Sequence, residues 1–191
     1  MTLLKIAQIG HPVLREEARE ISEAELRSEP IQRFIDDLIE TMRDANGAGL
    51  AANQVFRPIR ICCVEVNDNP RYPYKPNVPL TVLVNPVIEL LGEEHFDNYE
   101  GCLSVPNLRG LVSRRARIRV TGIDREGKTI DRRINGLTAG TFQHEVDHLD
   151  GKLFVDRVTD PHSLCTWDEY KRHHEATFVE RAKALVAHHG S

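Results

Sequence analysis

Residues 143–148 read Gln-His-Glu-Val-Asp-His. On a helix, positions four apart share a face, so His144 and His148 can present two imidazole nitrogens to one metal ion. Glu145 stands one position round, near enough to take a proton from a water that such an ion activates without being a ligand itself. Two histidines leave an ion under-coordinated, because a hydrolytic site wants three protein ligands and an open position. The chemistry suggested is metal-assisted hydrolysis, and the open question is the third donor.

Three places offer one. A third histidine six residues past the second would complete one known arrangement, but that position is Phe154. Asp168 and Glu169 lie downstream, where thermolysin-like zinc peptidases carry a glutamate; acids in the first turn of a helix are equally favoured by its dipole alone. Upstream is Cys102, in Glu100-Gly101-Cys102-Leu103-Ser104. The other cysteines, Cys62, Cys63 and Cys165, read as small buried or half-buried thiols. Adjacent Cys62 and Cys63 would point to opposite faces of a strand. Four cysteines without framework spacing fit a reducing compartment.

The elements that must position these residues are legible from periodicity. Ile31, Phe34, Ile35, Leu38, Ile39 and Met42 define one face of a helix over 29–43, with Ser28 as N-cap and Asn46-Gly47 as its stop. A loop of small residues, 47–54, follows it. Segments 59–66 and 80–90 read as strands, separated by a surface loop, 67–79, with four prolines. A strand over 95–104 should turn at Pro106-Asn107. Residues 116–123 alternate and pair, through a turn at 124–127, with 129–134. Helices follow over 137–149 and 167–187, and the segment through Ala18 reads as an extended arm lying on the rest. The expected fold is α+β: antiparallel sheets packed around a central helix that carries the histidines, with one helix N-terminal to them and one C-terminal.

The chain has 191 residues and a formal charge of −4, which predicts a single domain over 1–191 with a helical extension from about residue 160. That balance disfavours a dedicated nucleic-acid binder. No apolar run approaches the ~18 residues that span a bilayer, and residues 1–5 meet charge too soon for a signal peptide. Arg109, Arg114, Arg115, Arg117 and Arg119 read as the solvated face of a strand, with contact to ribosomal RNA as the sharper alternative. His173-His174 and His188-His189 read as solvated pairs.

Three segments carry a resemblance. Gly47-Ala48-Gly49-Leu50-Ala51-Ala52-Asn53-Gln54, the Glu100–Ser104 segment and Gln143–His148 resemble, in order and spacing, the signature motifs of peptide deformylase, from the N-terminal arm to about Val158. The resemblance implies a metal held by Cys102, His144 and His148, with Glu145 as general acid/base. It gives oxyanion stabilisation to the Gln54 amide and the Leu103 backbone N–H. It lays substrate backbone along Ala48, Gly49 and Gly101, and walls an apolar methionine pocket with Ala48, Leu137, Gly140 and Thr141. Arg109 would steady the Cys102 loop or meet substrate. The implied reaction removes formate from N-terminal formyl-methionine of new polypeptides in a bacterial-type cytoplasm. Transient ribosome contact is expected, and neither DNA nor membrane is a partner. Ferrous iron is the metal typical of the family, while the ligand types suit zinc, nickel or cobalt equally. The rivals are a thermolysin-like zinc peptidase using Glu169 and a non-catalytic, metal-stabilised domain that binds nascent chains.

Overall fold

In a computed structural model that describes residues 2–190 (Met1 and Ser191 lie outside them), the strands form two antiparallel sheets. The larger has the order β1 (Gly49–Ala51), β2 (Ile61–Val66), β3 (Val78–Leu90), β6 (Arg117–Ile123) and β7 (Thr129–Asn135). The smaller joins β4 (His95–Cys102), β5 (Val105–Arg115) and the short β8 (Cys165–Thr166). Helix α1 (Glu23–Leu26), a single turn with a Ser22/Glu25 capping box, precedes α2 (Glu29–Asp44). Its brevity leaves no periodicity for sequence reading to find.

The larger sheet has a different layer on each face. Cys63, Val82 and Val84 pack against Phe34, Leu38 and Met42 of α2. Cys62, Leu83 and Ile118 face the other way, against Ala139, Phe142 and Leu149 of α3 (Gly136–Leu149). The two adjacent thiols therefore do serve opposite faces. Helix α3 is buried along nearly its whole length, because both sheets contact it. Gln143 fixes its position by bonding both backbone groups of Arg115, at 3.2 and 2.9 Å.

Two expectations need correction. The reversal after β4 falls at Leu103-Ser104, and Pro106-Asn107 lie within β5. Ladder pairing is interrupted opposite Gly101, where β5 bulges towards β8, so a proline there displaces no ladder bond. The single helix expected over 167–187 is two, α4 (Trp167–His173) and α5 (Glu175–His189), broken at His174. The break lets Tyr170, His174 and Phe178 all reach the Tyr99 ring, with centroids 5.1, 5.4 and 5.7 Å away. The N-terminal arm bonds Ala7 N to Gln54 O and Ile9 N to Ser104 O, both at 2.7 Å, and so ties two of the motif segments together. Among the described residues, no helix is long and apolar enough to cross a membrane.

Candidate metal centre and active site

Helix α3 stacks His144 and His148 with ring centroids 4.9 Å apart and planes at 82°. The end of β4 brings Cys102 to the same place, its Sγ 3.2 Å from His148 Nε2. One donor atom from each of the three lies within 4.8 Å of the others. Donors around a tetrahedral ion at about 2.0–2.3 Å stand roughly 3.3–3.8 Å apart, so the set fits a single borderline-soft divalent cation. The thermolysin-like alternative fails on placement: Glu169 sits at the surface, paired with Arg172 at 2.7 Å and His173 at 3.2 Å.

A buried charge network holds this set in place. Glu100 Oε2 lies 2.8 Å from His144 Nδ1, which leaves Nε2 as the nitrogen for an ion. Arg114 grips Glu100 with two bonds of 2.7 and 2.9 Å and reaches Asp147 at 2.6 Å, and Arg157 completes the chain on Asp147 at 2.6 Å. Burial alone would raise the Glu100 carboxyl, but the Arg114 charge and hydrogen bonds overcome it and hold that group well below the usual carboxylate range. Burial lowers both imidazoles. It leaves His148 well below its ordinary value, whereas the bonds to Cys102 and Glu100 lift His144 well above. Metal binding must displace that proton.

Glu145 has a different environment. It is buried, burial pushes its carboxyl up to about 7, and its Oε2 has no hydrogen-bond partner. An orphaned carboxylate oxygen beside three convergent donors fits a proton carrier next to an ion. A Cβ at Gly49 would overlap the Glu145 carboxylate, which is the physical reason for glycine there. Gln54 is buried, its Oε1 accepting from Ala51 N at 2.9 Å and its Nε2 donating to Ser104 Oγ at 3.0 Å and Cys102 Sγ at 3.4 Å. Asn53 Nδ2 donates to the His148 carbonyl and ties this loop to α3.

The cavity above these groups takes in Ala48, Gly49, Gly101, Leu103, Gly140 and Thr141, together with Gln54. Two of the expected substrate residues lie elsewhere. Leu137 is core, packed with Phe96, Tyr99 and Phe178, because its helical position faces the C-terminal extension. Arg109 is 1 % exposed, donates to the Tyr99 carbonyl at 3.2 Å and has its guanidinium 3.8 Å from the Trp167 ring centroid. It braces the Gly101 strand from behind and opens on a neighbouring groove.

The solvated-strand reading of the arginines holds for Arg117 and Arg119, both exposed, the latter in a surface pair with Asp131 at 2.8 Å; it fails for buried Arg109 and Arg114 and for half-buried Arg115, which pairs with Glu93 at 2.9 Å. His189 is also less solvated than expected, its side chain 7 % exposed and its Nε2 3.4 Å from Glu94. Glu100, Arg114 and Asp147 escaped sequence reading as working residues although two lie inside the quoted motifs. Tyr72, Lys75 and Asn98 line the cavity with no sequence signal at all.

Comparison with known proteins agrees with this geometry. The polypeptide deformylase family model matches residues 3–163, so α4 and α5 lie beyond it. Peptide deformylase 2 of a Nostoc species is 43 % identical over 169 residues, covering 88 % of this chain and 93 % of that protein. The crystal structure of a class I type b peptide deformylase from Acinetobacter baumannii, bound to Met-Ala-Ser, has a TM-score of 0.79 at 38 % identity over 82 % of this chain and 99 % of that one. The Thermotoga maritima peptide deformylase has a TM-score of 0.74 at 31 % identity over 84 % of this chain and 100 % of its own. With matches of this extent, this chain belongs to the polypeptide deformylase family and is a metal-dependent hydrolase.

Proposed function

We propose that the enzyme hydrolyses the formyl–nitrogen bond of N-formylmethionyl peptides, consuming one water and releasing formate and a free α-amine. The convergence of Cys102, His144 and His148 beside the unpartnered Glu145 carboxylate carries this reading. A divalent cation held by those three side chains supplies Lewis acidity and brings the pKa of water towards neutrality. Ferrous iron is the ion we assign in vivo; a thiolate with two imidazoles would also accept zinc, nickel or cobalt.

Glu145 takes the proton of the attacking water and returns it to the departing amine, a task suited to a buried carboxylate with one oxygen free of protein partners. The Gln54 Nε2 amide and the Leu103 backbone N–H stabilise the oxyanion that forms on the formyl carbon. Glu100 orients His144 through Nδ1. The peptide backbone enters as an added strand between the Ala48-Gly49 and Gly101 segments, where small residues permit close approach. The Met-Ala-Ser peptide held by the Acinetobacter structure is what deformylation of formyl-Met-Ala-Ser leaves behind, which supports this substrate class. The reading places the enzyme in the cytosol, meeting nascent chains transiently at the ribosome.

The test is formate release from formyl-Met-Ala-Ser by anaerobically purified protein. Turnover in the wild type and none with Glu145→Ala at equal metal content supports the reading. A fully metallated wild type that releases no formate contradicts it and favours the non-catalytic binding domain.

A further inference from the structure

The cavity wall at Gly140 and Thr141, where the family resemblance puts the first side chain, is polar. Lys75, brought in by the proline-rich loop, lines it beside His144 and Glu145 and donates from Nζ to Thr141 Oγ1 at 2.9 Å. The ammonium also stands 4.8 Å from the Tyr72 ring centroid. It carries three donors, and among the described residues Thr141 is the one oxygen it bonds. On the same cavity wall Asn98, 4 % exposed, uses Nδ2 on Glu100 at 3.3 Å and leaves its buried Oδ1 unpartnered. Phe96 packs against Gly140, where a Cβ would meet Phe96 Cζ at 3.0 Å.

A side chain that enters the cavity past His144 towards Thr141 meets the Lys75 ammonium there. A thioether is a weak acceptor, whereas a sulfoxide or amide oxygen is a strong one. Burial lowers the Lys75 pKa from its ordinary value, a desolvation that an accepting oxygen would offset.

Resting on the deformylase reading, we propose that Lys75 is a specificity residue that admits N-formyl peptides whose first side chain ends in a hydrogen-bond-accepting oxygen. Methionine sulfoxide, which differs from methionine by one oxygen, is the substrate it fits most directly. The enzyme would then clear formyl groups from chains with an oxidised first residue as readily as from intact ones.

The experiment compares kcat/KM for formyl-Met-Ala-Ser and for the same peptide with methionine sulfoxide, using metal-loaded wild type, Lys75→Met and Lys75→Gln. We expect the wild type to turn over the sulfoxide at least as well as the thioether. Lys75→Met should move the sulfoxide-to-thioether ratio at least about tenfold towards the thioether, the worth of a hydrogen bond to a charged donor. Lys75→Gln, which keeps a neutral donor, should fall between, and it stands in if the methionine variant does not fold. A wild type that disfavours the sulfoxide tenfold, or a ratio indifferent to residue 75, overturns the proposal. Formate from neither peptide overturns the deformylase reading instead.

Discussion

The two ends of the catalytic cavity are held in different ways. At the reacting end, Cys102, His144 and Glu145 hang from a buried strand end and a buried helix, and Arg114 braces them through a network in which Glu100 and Asp147 are both satisfied. At the other end, Lys75 and Tyr72 come from a loop between β2 and β3 and line the cavity together with Asn98, whose carbonyl oxygen has no partner. The first end is over-determined by packing and charge, as preorganised chemistry requires. The second keeps polar capacity in reserve, as a site that must discriminate among side chains requires.

Substitutions can break that contrast in order of size. Glu145→Gln should cost about 10²–10⁴ in kcat, the usual worth of a positioned general acid/base, with metal content unchanged; loss of metal as well, seen by elemental analysis, would show that Glu145 holds the centre together instead. Gln54→Ala should cost about 10²–10³ in kcat, again with metal retained. Parallel loss of metal and rate would reassign Gln54 to supporting Cys102.

Arg114→Met tests the brace. Leaving Glu100 buried without its guanidinium, and Asp147 with Arg157 alone, should cost about 3–5 kcal/mol in urea unfolding of the metal-free protein. The pH dependence has a definite sign. The folded Glu100 carboxyl is depressed from its ordinary 4.5, so its contribution is complete above that value and fades as pH falls below it, towards the folded pKa. Arg114→Met should abolish this acid-limb stabilisation. Glu169→Ala should do least, leaving metal content and turnover essentially unchanged; a loss of metal would revive the peptidase reading.

Legibility in the sequence divides along the same line. Helices α2 and α3 and strands β2, β3, β6 and β7 follow from sequence pattern, because each buries a face or a whole surface, whereas β1, three residues within the segment 47–54, read as loop. His144, Glu145 and His148 follow from spacing on one helix. Cys102 does not: it lies 42 positions upstream, and residue types left Glu169 open until motif resemblance chose between them. Arg114 read as solvent-facing because periodicity cannot report a partner on another element, and the same holds for Arg109 beneath Trp167. The break at His174 comes from three rings competing for Tyr99, a tertiary demand with no local signal. Lys75 was illegible for the plainest reason: a loop without periodicity says nothing of where its side chains end.

Metal stoichiometry of Cys102→Ser beside the wild type, both purified anaerobically, tests the centre most directly. One ion per wild-type chain is expected, and a variant that has lost tight metal binding and formate release together. A variant that keeps a full complement of metal would mean that the thiolate is no ligand, and the centre described above would be wrong.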